Sequence, residues 1–169
     1  SPSYDLVISG GRVIDPANAI DARLDVAVKD GSIAAVQAGI DTSNTTRVID
    51  ATGFTVTPGL IDLHTHVAAG IRKPAGEDLM VSPDVAGVIS GVTTVLDAGS
   101  TGALNIGGLV NAVAPQAITR VLALISVGSM GVANIPEVRL AEDINPEAAV
   151  RSEERRVGKE CRSRGSPEH

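Results

Sequence analysis

The chain has 169 residues, of which 43% are hydrophobic and only 1% aromatic, and its formal net charge is −6. That length fits one domain or a little more, and its core must come from Val, Ile, Leu and Ala, the residues that dominate parallel α/β sheets. The acidic balance argues against nucleic acid and anionic membrane as partners, no apolar run approaches a membrane span, and the single Cys161 rules out an internal disulfide or a Cys-based zinc site.

The first stretch reads as short strands. YDLVISG and RVID flank Gly10-Gly11, and LDVAVKDGSIAAVQ has the pattern of a hairpin whose turn is Asp30-Gly31. TRVIDATGFTV offers two more strands around Thr52-Gly53. Residues 1–57 are therefore expected to form a small β domain.

The pattern changes at Pro58. GLIDLHTHV reads as a strand, and a loop with Arg72 and Lys73 follows, best read as solvated charge. SPDVAGVISG is punctuated as one helix, with Ser82 as N-cap, Pro83 in the first position, Asp84 in the first turn and Gly91 as the stop. VTTVLDAG is a second strand, NIGGLVNAVAPQAI a short helix opened by Asn105, and RVLALISV a third strand. NPEAAV opens a further helix with Asn145 as cap and Pro146 in the first position. Strands beginning near residues 59, 92 and 120 are about 30 apart. A (β/α)8 barrel of about 250 residues spends about 31 on each unit. Residues 58–150 thus read as the first three βα units of a TIM-type (β/α)8 barrel, an α/β fold.

Residues 151–169 differ sharply from the rest. RSEERRVGKECRSRGSPEH carries six of the 14 Lys and Arg residues and a single aliphatic residue, Val157. Arg151 through Cys161 resemble the translated sequence of a short-read sequencing adapter. The tail is read as non-native, and the natural chain is expected to continue differently from about Val150. The alternative is a charged, solvated tail or a short basic partner-binding helix; separately, the 169-residue chain can be read as a binding module in its own right.

Only three histidines are present, and two of them, His64 and His66, close the strand at PGLIDLHTHV. Residues two apart on a strand share a face, so the alternation predicts Asp62, His64 and His66 together. At the C-terminal end of a barrel strand that face is the floor of an active site. Two neutral imidazoles there can converge on one metal ion, with Asp62 holding His64 or a neighbouring N–H. The bland alternative, a pair of core histidines, must meet the desolvation cost of two buried imidazoles. Asp97 ends the second strand and can meet substrate or support a ligand, although a loop cap is the commoner use. Asn105 can cap the next helix or contact substrate. GSTGALNIGG is Gly-rich but lacks the Lys and spacing of a phosphate-binding loop.

TPGLIDLHTHV, preceded by GGRVIDP and followed by GVTTVLDAGSTGALNIGG, resembles the amidohydrolase superfamily, most closely its amidohydrolase/deacetylase, or dihydroorotase-like, metallohydrolases. The resemblance covers residues 4 to about 145. It implies a (β/α)8 barrel beside a composite β-sandwich, both incomplete here. It also implies one or two divalent metals, zinc foremost, in the full-length parent, with His64 and His66 as ligands. The parent would use metal-activated hydroxide to hydrolyse an amide or acyl ester bond of a small molecule, outside peptide bonds. It would be a cytoplasmic homo-oligomer; no signal peptide is visible. A cyclic amide hydrolase of the dihydroorotase or hydantoinase kind is the alternative, and a non-catalytic barrel subunit the third. The remaining ligands and the general base belong to later strands in that family. This chain alone is therefore expected to supply no catalytic residue and to be inactive, since catalytic zinc usually takes three protein ligands.

Overall fold

The computed structural model describes residues 2–71, 80–133, 138 and 140–152. Arg72, Lys73 and the expected non-native tail beyond residue 152, with Lys159, Cys161 and His169, lie outside the described residues. The chain divides into two compact units, Ser1–Pro58 and Gly59–His169. Among the described residues no helix is long and apolar enough to cross a membrane.

The first unit holds β1 (Tyr4–Asp15), β2 (Ile20–Lys29), β3 (Ser32–Gln37), β4 (Thr45–Asp50) and β5 (Thr55–Val56). They form one sheet in the order β3-β2-β1-β4, with β5 also on β1. The hairpins are antiparallel, while β4 and β5 run parallel to β1. Asp30 (φ 50°) and Gly31 (φ 73°) both take left-handed backbone at the β2–β3 turn, as a type I′ hairpin requires.

Two strands were expected around Gly10-Gly11, but β1 runs through them without a break. The register shifts between Ile8 and Gly11, and Gly10 sits at φ 75°, so the glycines make a bulge rather than a turn. Asp25 sustains it. This carboxylate is buried, at 7% exposure. Its Oδ1 accepts from the Gly10 N–H (2.7 Å) and the Ser9 hydroxyl (3.1 Å), and its Oδ2 from the Ile40 N–H (2.9 Å). Burial pushes the Asp25 carboxyl up, but the hydrogen bonds from Gly10, Ile40, Ser9 and Gly39 together outweigh it, and the net shift is downward. Val7, Ala27 and Ile40 form the core beside this carboxylate, with Tyr4 and Ala35 packed against them.

The second unit is built on a parallel sheet in the order β6-β7-β8, comprising β6 (Leu60–Thr65), β7 (Val92–Gly102) and β8 (Arg120–Ser126). The fold of the chain is thus α/β. The connection between β7 and β8 is a helical run, α2, over 106–116; it passes from α-helix (Ile106–Gly108) through a π-turn (Leu109–Val113) to a 3-10 turn (Ala114–Gln116). Ile106 and Leu109 are buried, with Val121, Ala123 and Ile125 of β8 packed against their cluster. That covers one face of the sheet. On the other face Ile61, Leu63, Leu122 and Leu124 remain 61%, 71%, 41% and 53% exposed.

The single helix expected over 82–91 is broken. α1 spans only Pro83–Ala86, and a separate 3-10 turn spans Val88–Ser90. Gly87 leaves helical backbone (φ −95°, ψ −111°), and Ser82 makes no side-chain cap. The cause lies far along the chain: the Thr119 hydroxyl accepts from the Val88 N–H (3.0 Å), taking an amide that would have continued the helix. Asp84 fastens the same place by accepting from the N–H groups of Thr119 (2.8 Å) and Ile118 (3.2 Å). Gly91, at φ 80°, ends the segment as a left-handed stop. A last helix, α3, runs over 146–152, and the Asn145 Oδ1 caps it by accepting from the Ala148 N–H (2.9 Å).

Candidate metal centre

β6 carries His64 next to its C-terminal end, and His66 is the first residue beyond it, since the strand expected to run through Val67 stops at Thr65. His64 is exposed and His66 half-buried, and their ring centroids lie 5.5 Å apart with the planes at 79°. Two imidazoles sharing one ion at about 2.0–2.1 Å would place their centroids roughly 5 Å apart. The spacing of the pair therefore fits two ligands of one divalent ion. Among the described residues no group of three His, Cys, Asp or Glu side chains could hold a metal ion.

The expected alternation along β6 fails at one point. Asp62 pairs with Val95 and Thr65 with Asp97. Val95 and Asp97 are two apart on β7 and share a face. Asp62 and Thr65 must then share it too, although they are three apart, so β6 carries an extra residue between them. Asp62 sits on the helix-covered side and not with the histidines, which flank Thr65 and take the opposite face. The Asp62 Oδ1 accepts from the main-chain N–H of His64 (3.0 Å), so it acts on the backbone of the strand.

Asp97 is completely buried. Its Oδ2 accepts from the Val67 N–H (2.8 Å) and its Oδ1 from the Ser100 N–H (2.8 Å). Both oxygens are thus turned to main chain, tying the residue after His66 to the end of β7. Asn105 was expected to cap α2, but its side chain makes no cap hydrogen bond to that helix. Its Oδ1 accepts from the Gly102 N–H (2.8 Å) and its Nδ2 donates to the Met130 carbonyl (2.9 Å), so it joins the end of β7 to the loop after β8.

Sequence reasoning passed over Ser100. This residue is fully buried, and its Oγ lies 2.9 Å from the Nδ1 of His66. The available signal was the DAGS run in β7, a serine three residues beyond an aspartate; Asp97 was expected to end this strand, but β7 runs on to Gly102 and leaves Asp97 at its middle. The main chain at His66 is also fixed: its carbonyl accepts from the Val81 N–H (3.2 Å), and the Thr65 hydroxyl donates to the Leu96 carbonyl (3.1 Å).

No protein-family model matches the chain. A deacetylase of Brucella anthropi is 34% identical to it over 129 residues, which are 74% of this chain and 31% of that protein. A dihydroorotase of Geobacter metallireducens is 42% identical over 93 residues, 54% of this chain and 21% of that protein. The crystal structure of a dihydroorotase superposes with a TM-score of 0.77 at 27% identity, over 90% of this chain and 40% of that one. The chain belongs to the amidohydrolase superfamily. This amidohydrolase chain spans about a third or less of the length of the curated relatives it matches.

Proposed function

We propose that the chain supplies the first two metal ligands, His64 and His66, of a hydrolase acting on non-peptide C–N bonds, or on acyl esters, of small molecules in a deacetylase-like reaction. The carrying observation is the pair of imidazoles, 5.5 Å apart, at the C-terminal end of the first of three parallel strands. In this reading residues 58–150 are the first three units of a (β/α)8 barrel and residues 1–57 one part of a composite β-sandwich. The β6-β7-β8 order and the helical run between β7 and β8 support it.

A bound divalent ion, zinc foremost, would polarise the substrate carbonyl and acidify water. The chain's own residues do the positioning. Asp62 holds the backbone of His64, Asp97 holds the strand ends on either side of the site, and Ser100 meets the ring of His66. With two imidazoles and no third ligand among the described residues, the site has fewer ligands than the three protein ligands usual at catalytic zinc.

Hydrolysis of a cyclic amide is the second reading. The dihydroorotase relatives, found by sequence and by structure, favour it. Calorimetric titration with zinc tests the first step: the chain should bind the ion, and the double variant His64→Ala, His66→Ala should lose at least tenfold in affinity. Equal binding by the two would refute the site. The protein encoded by the uninterrupted genomic frame containing residues 1–150, given an N-acetylated amine and a cyclic diamide, would separate the two substrate classes.

A further inference from the structure

His66 carries its proton on one of two ring nitrogens, and a metal takes the other. Which nitrogen is free is set by the hydrogen bond that its partner makes. We propose that Ser100 is the positioning residue that makes this choice: its Oγ accepts from the Nδ1–H of His66 and leaves the Nε2 lone pair for a divalent cation. The inference rests on the metal reading above and adds to it a residue, an atom and a tautomer.

The main chain around Ser100 is fixed and brings its hydroxyl to His66. Its hydroxyl is 2.9 Å from His66 Nδ1, and the residue is fully buried. A rotating surface serine would lose the contact to water, whereas this one is anchored through its own N–H to Asp97 Oδ1 at 2.8 Å. The other oxygen of Asp97 binds the N–H of Val67, next to His66, also at 2.8 Å. One buried carboxylate therefore fixes the main chain beside both members of the pair. The left-handed turn at Gly99 (φ 84°) makes this possible, because β7 leaves regular pairing between Ala98 and Gly102 and Ser100 is re-aimed toward β6. Outer partners of this kind orient a ligand ring and typically carry about 10–100-fold in metal affinity.

The test uses the 169-residue chain labelled with 15N-histidine, in a Cys161→Ser, His169→Ala background that removes tail ligands. Nitrogen chemical shifts, read in solution or in the solid state, report the tautomer of each ring, and the His66 signal is identified by its loss in His66→Ala. The expected result is a proton on Nδ1 of His66 in the parent chain. In Ser100→Ala the His66 proton should move wholly or partly to Nε2, and zinc affinity should fall about tenfold or more. A His66 proton on Nε2 in the parent chain overturns the proposal without any variant at Ser100. So does a folded Ser100→Ala chain that keeps both the tautomer and the affinity. If zinc binds the parent no better than the double histidine variant, the metal reading fails; the Ser100–His66 hydrogen bond is then judged by the tautomer alone, and the role proposed for it is refuted.

Discussion

Asp25 offers the sharpest test of how the first unit is held. Asp25→Ala removes the acceptor of two main-chain N–H groups, those of Gly10 and Ile40, and of the Ser9 hydroxyl. A buried donor left without a partner costs about 1–3 kcal/mol, and a hydroxyl can turn elsewhere, so the expected loss from the two N–H groups is about 2–6 kcal/mol. Asp25→Asn keeps one carbonyl acceptor but sets an NH2 against the other donors, for about 1–3 kcal/mol. Urea unfolding followed by tyrosine fluorescence measures both. The sequence has one Tyr and no Trp, and Tyr4 packs against the Val7, Ala27 and Ile40 cluster, so the signal reports this unit. The depressed pKa also gives a pH signature. Stability from Asp25 is fully present above the ordinary value of 3.8 and is lost as pH falls through the lower folded value. Asp25→Asn should flatten that acid loss in part, since Asp5, Asp21, Asp41 and Asp50 are shifted the same way. A change below about 0.5 kcal/mol for Asp25→Ala, the range of an ordinary surface substitution, would refute the account of the bulge.

Asp97→Asn should leave either the Val67 or the Ser100 N–H without an acceptor and destabilise the second unit by about 1–3 kcal/mol; hydrogen exchange at those two amides, unchanged, would contradict it. Gly102→Ala should be worse than an ordinary Gly→Ala change, because the added Cβ would fall on the main chain of Gly128 and Ser129, and backbone cannot rotate away; a melting temperature equal to the parent's would refute that close approach. Leu63→Lys with Leu124→Lys should lower binding of a hydrophobic dye and reduce self-association, since both side chains lie on the uncovered sheet face; unaltered dye binding would show that this face is not the one exposed in solution.

Features of the chain that depend on neighbours in sequence were legible in it. The Asp30-Gly31 turn, the Asn145 cap and the three strands of the parallel sheet all follow from local chemistry. Features set by distant partners were not. Nothing in SPDVAGVISG announces that Thr119 will take the amide of Val88. The side of β6 on which Asp62 falls depends on an extra residue in its pairing with β7, and strict alternation has no means of seeing a bulge. Asn105 follows the same rule, because its side chain answers Gly102 and Met130 rather than the helix it precedes. Ser100 was missed because its partner lies on another strand. The histidine pair itself was visible as a spacing; the mutual orientation of its rings was not.

The pairing pattern also sets an order of events in folding. At the β2–β3 turn Lys29 needs only to meet Ser32, a closure that takes microseconds in isolated hairpins. In the parallel sheet Leu60 must find Val92, and Thr94 must find Arg120, with the intervening chain given up before any ladder bond forms. Contacts of such long sequence separation make for slow transition states. A refolding chain should thus have its hairpin made long before the strand bearing His64 acquires a neighbour, and during that interval the strands of the parallel sheet are open to pairing with another molecule.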